Sequence, residues 1–286
     1  MKQLFGLLLL ILLCHSVQSN AQKLPVKIGL NTSYDNDSLG FANGYDYIEE
    51  NTRKLFYVPD SVFQKHLANL RKTKLPVNTT NVFLPNTIKL IGPDVNVKWT
   101  VGYVDTIFKR AQQAGVNIIV LGSSGSRRLP EGYSRNKAIS EFVYIGRKMA
   151  EVAKKYKITI AMESLNRTED NFITTLEFAN ELVNLINHPN FKLTADIYHM
   201  LMEYEPADVI IKAGKNLVHC HIAEREKRAA PGTYNENFLP YFQALKKINY
   251  KGRISLECRW DNMTQQAPSA LAYLKTQLNQ AYNIKP

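Results

Sequence analysis

Short runs rich in β-branched residues alternate with longer amphipathic stretches along most of the chain. KIGLN (27–31), YDYIEE (45–50), VNTTNVFL (77–84) and NIIVLG (117–122) read as strands. ITIAME (158–163), FKLTAD (191–196), VHCHIA (218–223) and RISLEC (253–258) complete a set of eight. Each has the length of a buried strand. Apolar residues recur at helical spacing in SVFQKHLANLRK (61–72), TVGYVDTIFKRAQQAG (100–115), AISEFVYIGRKMAEVAKKYK (138–157) and TLEFANELVNLIN (175–187). The same period returns in PADVIIKAGK (206–215), FLPYFQALKKIN (238–249) and PSALAYLKTQLNQAY (268–282). The first connection, residues 32–44, is rich in Asn, Asp and Gly and reads as room for only a turn of helix. Repeated right-handed βα crossovers that close on themselves give an α/β fold, a single (β/α)8 TIM barrel. The rival, an open doubly wound sheet, loses ground because no glycine-rich dinucleotide fingerprint follows the first strand. No linker or composition break divides residues 22–286, which read as one domain.

The N-terminus departs from this pattern. Lys2, the apolar run LLLLILLC (7–14) and the small-residue exit Ser19-Asn20-Ala21 have the grammar of a cleavable secretory signal peptide, residues 1–21. Leu13, where a lipoprotein signal carries a small residue, argues against a lipid anchor at Cys14. The mature chain is expected to begin near Gln22 in an exported compartment, the periplasm, with no membrane anchor. Of the three cysteines, Cys220 and Cys258 survive cleavage. Strand alternation points both outward beneath the helices, as buried free thiols, with a disulfide across neighbouring strands left open. The formal net charge of +11 is spread along helix-like segments without a dense basic block, so it reads as a solvated surface.

Four consecutive strands end on a candidate metal ligand: Glu163, Asp196, His221 and Glu257. The gaps of 33, 25 and 36 residues each span roughly one βα unit of ~30 residues. A TIM barrel gathers its strand ends at one mouth, so the four side chains would converge there. Three converging carboxylates repel one another unless a cation lies between them. Oxygen-rich donors with one imidazole suit Mn²⁺ best, with Co²⁺, Mg²⁺ and Zn²⁺ as further candidates for one divalent ion. Taken singly, each residue has a plainer reading: Glu163 as an ion-pair partner, Asp196 as a helix cap, His221 as a satisfied histidine. His219, on the same face, reads as deeper and structural.

At these positions the sequence resembles the xylose-isomerase-like superfamily of sugar isomerases and epimerases, its ketose 3-epimerases in particular. The resemblance is carried by MESLNRTED (162–170), TADIYHMLMEYE (194–205), HCHIAEREKRAAPG (219–232) and ISLECRW (254–260). NVFLPNTIKLIGP (81–93) and LGSSGSRRLPEGY (121–133) look like segments of sugar-isomerase-like proteins. The resemblance implies that Glu163, Asp196, His221 and Glu257 bind one metal ion and that Glu163 and Glu257 exchange the substrate proton. It implies substrate contacts for Glu169, for His199 and for an arginine after the seventh strand. Spacing from the histidine lands on Lys227; spacing back from Pro231-Gly232 lands on Arg228, which is preferred, with Arg225 and Lys227 left open.

The expected chemistry is removal of a proton next to a carbonyl, with a metal-bound enediolate and the proton returned to the other face or the neighbouring carbon. Export favours a free sugar or keto-sugar as the small-molecule partner over a phosphorylated one. A lyase or hydratase acting on 3-keto-glycosides through the same site is the alternative, and a noncatalytic sugar-binding barrel a more remote one. An apurinic endonuclease would need more histidines than the six present, and no nucleic-acid partner is expected. A homo-oligomer is left open. The loop Gly122–Arg128 is either structural or a contact for an anion or sugar. Tyr34 and Phe41 are either packing or pocket lining.

Overall fold

A computed structural model describes residues 23–284. The proposed signal peptide lies outside the described residues. Eight strands close a parallel barrel in chain order: β1 (Lys27–Asn31), β2 (Tyr47–Asn51), β3 (Val77–Asn81), β4 (Ile118–Leu121), β5 (Thr159–Glu163), β6 (Phe191–Asp196), β7 (Leu217–Ile222) and β8 (Arg253–Leu256). β1 pairs with β8, so no edge is left open. The main helices around it are Asp60–Leu70, Val97–Gln113, Arg135–Lys155, Leu176–Ile186, Asp208–Ala213, Leu239–Lys247 and Met263–Tyr282. Among the described residues no helix is long and apolar enough to cross a membrane.

The helices start where a polar side chain satisfies their first free N–H groups. Asn96, Ser134, Thr175 and Asn262 each accept the N–H three residues on, a cap worth ~1 kcal/mol. Their apolar faces and the outward strand residues form one continuous core. Phe142, packed edge-on to Phe172 and Phe191, is typical of it. Such a ring is worth roughly 3–5 kcal/mol against truncation. Cys220 sits fully buried in this layer as a free thiol, and Cys258 is a partly buried free thiol.

The barrel interior is a different material. Tyr47, Glu49, Thr79, Thr194, His219, His221 and Ser255 are all fully buried. Gly29 makes room for the Tyr47 ring, which a Cβ at that position would overlap.

Several boundaries differ from the pattern-based expectation. The first connection holds more than one turn: a 3-10 turn, Tyr34–Asn36, runs into the helix Asp37–Ala42. β3 stops at Asn81 because Val82 takes a left-handed conformation (φ 53°) and turns the chain away. β2 begins at Tyr47; the carboxylate of Asp46 is occupied by the N–H of Ile28 at 2.8 Å. Three short helices at the mouth, Thr52–Phe56, Ser124–Arg127 and Ile197–Met202, fall below the length at which periodicity is readable.

Candidate metal centre

Glu163 and Asp196 are the last residues of β5 and β6, His221 is next to last in β7, and Glu257 directly follows β8. One donor atom from each lies within 4.8 Å of the other three. His221 Nδ1 stands 2.7 Å from Glu163 Oε1, 3.3 Å from Glu257 Oε2 and 4.0 Å from Asp196 Oδ2. Donors on opposite sides of an ion at ~2.1–2.6 Å are ~4–5 Å apart, so these spacings suit a single cation.

Asp196 serves two ends. Its Oδ1 accepts the N–H groups of Tyr198 (2.8 Å) and His199 (3.3 Å) and so caps the helix Ile197–Met202. Its Oδ2 is buried and has no hydrogen-bond partner among the described residues; the Arg228 guanidinium stands 3.6 Å away, beyond hydrogen-bond reach. An orphaned carboxylate oxygen facing two further carboxylates is what a cation would satisfy. The donor set therefore fits a hard divalent ion.

The charges are strained without one. Burial pushes the Glu163 carboxyl up, and Glu257 and Asp196 push the same way while His221 pulls against them. Burial likewise raises Asp196, with Arg228 opposing. Burial would lower His221, but Glu49, Glu257 and Glu163 outweigh it and hold the imidazole well above its ordinary value. Burial would raise Glu257 too, yet His221 and Arg228 bring it down to about 2.

A cavity of about 240 Å³ opens over these groups, and Glu169, His199 and Arg228 all line it. The backbone N–H of Asn166 donates to His199 Nδ1 at 3.1 Å, which leaves the ring hydrogen on Nε2. That Nε2 has no hydrogen-bond partner among the described residues and stands 3.5 Å from Asp196 Oδ2. Arg228 touches Glu257 through Nη2 and reaches Glu169 at 3.7 Å through Nη1. Lys227 and Arg225 lie over the Tyr234 and Tyr204 rings instead, and neither lines the cavity. The loop that presents Arg228 is held by buried Glu224, which accepts N–H groups from Gly232, Tyr234 and Glu236.

Further residues complete the site. Asn81 donates to Glu257 Oε1 at 2.7 Å and Asn31 at 3.3 Å. Arg53 lines the cavity with a buried Nε that has no partner among the described residues. Glu49, within the strand read as YDYIEE, contacts both His219 and His221; a carboxylate near a strand end was the available clue. The loop expected at Gly122–Arg128 divides in two. Gly122, Ser123 and Ser124 line the cavity, while Arg127 is wholly buried against Asp170 at 2.6 Å. Gly122 is needed for space, because a Cβ there would overlap Glu163 Oε2. Tyr34 and Phe41 do not line the cavity: Tyr34 hydrogen-bonds His66, and Phe41 is exposed beside Lys74.

The family model described as "Xylose isomerase-like TIM barrel" matches residues 41–277. The chain belongs to this family. Within it, the D-psicose 3-epimerase of Enterocloster bolteae is 35% identical over 112 residues, 39% of this chain and 37% of the relative. A probable ketose 3-epimerase of Synechocystis is 25% identical over 183 residues, 61% of each chain. The 3-dehydro-D-guloside 4-epimerase of Escherichia coli is 29% identical over 133 residues, 46% of this chain and 50% of the relative. The chain thus matches well under two thirds of the length of the psicose epimerase. In fold, it is similar to a D-psicose 3-epimerase solved in the presence of D-fructose, with TM-score 0.77 at 19% identity over 88% of this chain and 99% of that one. It is also similar to a 3-keto-D-glucoside 4-epimerase from E. coli, with TM-score 0.74 at 23% identity and the same coverage.

Proposed function

We propose that this xylose-isomerase-like barrel is a divalent-metal-dependent sugar epimerase or isomerase. The observation that carries the reading is the convergence of four donor side chains, with Asp196 Oδ2 orphaned, beneath a cavity that also presents an unsatisfied His199 Nε2–H. Glu163, Asp196, His221 and Glu257 would hold the ion, Mn²⁺ first among the candidates. When bound, the ion supplies Lewis-acid polarisation of a substrate carbonyl, an effect of several kcal/mol.

The remaining work falls to side chains. Glu163 and Glu257 take the α-proton and return it, a role typically worth ~10²–10⁴-fold. Asn81, Asn31 and Arg228 hold the Glu257 carboxylate in one orientation. His199 donates its Nε2–H to a substrate oxygen, and Glu169 and Arg228 meet the hydroxyls on the same side of the cavity. Gly122–Ser124 and Leu165 line the same cavity.

Relatives named for ketoses and for 3-keto-glycosides support a sugar or keto-sugar as the substrate class. The keto-glycoside relatives are themselves named epimerases; a lyase or hydratase that uses the same proton abstraction to expel a group β to the carbanion is the second reading. Export to the periplasm belongs to the same proposal; N-terminal sequencing of the mature protein should begin near Gln22. The activity test is incubation with Mn²⁺ and candidate ketoses or 3-keto-glycosides in D₂O. Deuterium should appear at the α-carbon, and Glu257→Gln should abolish it. Absence of exchange with every sugar, with metal shown to be bound, would refute both readings.

A further inference from the structure

Beneath the four donors a second cluster fills the barrel axis, and the proton-transfer chemistry makes no use of it. Glu49 of β2 is wholly buried. Its Oε1 meets His221 Nε2 at 2.9 Å, its Oε2 meets His219 Nε2 at 2.8 Å, and the Ser255 hydroxyl also reaches Oε2. Ser255 Oγ is in turn 2.7 Å from the Tyr47 hydroxyl. The register between β2 and β3 shifts between Ile48 and Glu49, the kind of irregularity that re-aims a side chain.

An ionised carboxylate only accepts hydrogen bonds, so the cluster has one direction. Tyr47 donates to Ser255, Ser255 donates to Glu49, and both histidines donate from Nε2. His219 Nδ1, which has no partner among the described residues, is then a bare lone pair, a cheaper group to leave unpaired than an N–H. The three groups Glu49, His219 and His221 could geometrically surround an ion. However, both Glu49 oxygens already receive three donors, so a second cation would have to displace all of them.

The geometry points to Glu49 as a positioning residue for the metal centre. It fixes His221 in the Nε2–H form and so turns Nδ1, the nitrogen within 4.0 Å of Glu163, Asp196 and Glu257, toward the ion. A carboxylate on the far nitrogen of a ligating imidazole orients the ring and strengthens it as a donor. The inference rests on the metal reading above. A buried charge that served only to fill space would be a costly choice compared with an apolar side chain of the same volume.

The test is Mn²⁺ binding by electron paramagnetic resonance to the wild type and to Glu49→Gln, which keeps the shape but loses one acceptor. The variant should bind ~10–100-fold more weakly. Equal affinity in the two proteins would remove Glu49 from the account and leave the metal centre standing, whereas no binding by the wild type would remove the metal centre itself. A second measurement needs no variant: ¹⁵N chemical shifts of histidine-labelled wild type with Mg²⁺ should show His221 protonated on Nε2 and bare at Nδ1. A hydrogen on Nδ1 in the loaded protein would overturn the proposal even if Glu49→Gln fails to fold.

Discussion

The two halves of the barrel end their strands in different chemistry. β5–β8 deliver Glu163, Asp196, His221 and Glu257, three of them acidic. β1–β3 end in Asn31, Asn51 and Asn81, and β4 runs straight into Gly122. Asn31 and Asn81 both donate to Glu257, and Asn51 caps the helix Thr52–Phe56. One half thus concentrates negative charge at its strand ends, and the other ends its strands in neutral donors that orient that charge, with its one carboxylate in contact with the centre, Glu49, set deeper and bonded to His219 and His221. Carboxylates in place of Asn31 and Asn81 would have deepened the repulsion, since like charges at this range raise one another's pKa.

The largest expected effect lies in the charged half. Asp196→Asn keeps an oxygen to cap the helix but removes the charge on the unsatisfied Oδ2. Mn²⁺ affinity should fall at least ~100-fold, more than the loss of an outer partner would cause, while the melting temperature of the metal-free protein holds or rises. Calorimetry with and without metal checks both. At the seam, Gly122→Ala forces the Glu163 carboxylate out of place. It should weaken metal binding by about tenfold or more, in the range of a lost supporting contact, with little change in metal-free stability. An unchanged affinity would show that Glu163 is not held where the ion sits.

Proton competition should be of intermediate size. Glu163, Asp196 and His221 all have raised pKa values in the folded, metal-free protein. Their stabilising protons are in place at low pH and are lost as pH rises through those raised values. A cation that replaces these protons binds better as they leave. The rise in melting temperature produced by saturating Mn²⁺ should therefore be larger at pH 7.5 than at pH 5. A metal-induced shift independent of pH would contradict the assignment of these three groups as ligands. The smallest effect belongs to the neutral half. Asn81→Ala removes one hydrogen bond to a charged group, worth ~1.5 kcal/mol or a little more, and should slow deuterium exchange about tenfold, with a smaller loss of metal affinity than Gly122→Ala because Asn31 and Arg228 still hold Glu257.

The barrel was readable because each strand carries its own signal: a short β-branched run between helical periods. The convergence of Glu163, Asp196, His221 and Glu257 was readable for a related reason, since strand ends in this topology share a mouth whatever the local detail. The place of Glu49 was not. Its neighbours His219, His221 and Ser255 come from β7 and β8, which do not pair with β2, and no local pattern records which interior side chains meet inside the barrel. Arg53 was hidden because a cavity wall is made by short loops whose course depends on tertiary packing; for Gly122–Arg128 the same dependence left the choice between a structural loop and a contact open. Val82 shows the same limit: its apolar neighbours extend the strand pattern, yet its positive φ ends β3 one residue earlier.

The most direct test of the central claim is anomalous diffraction at the manganese edge from crystals of the Mn²⁺-loaded protein. One strong peak per chain is expected, within bonding distance of Glu163, Asp196, His221 Nδ1 and Glu257. A peak elsewhere in the barrel, or none from protein that dialysis shows to carry the ion, would contradict it.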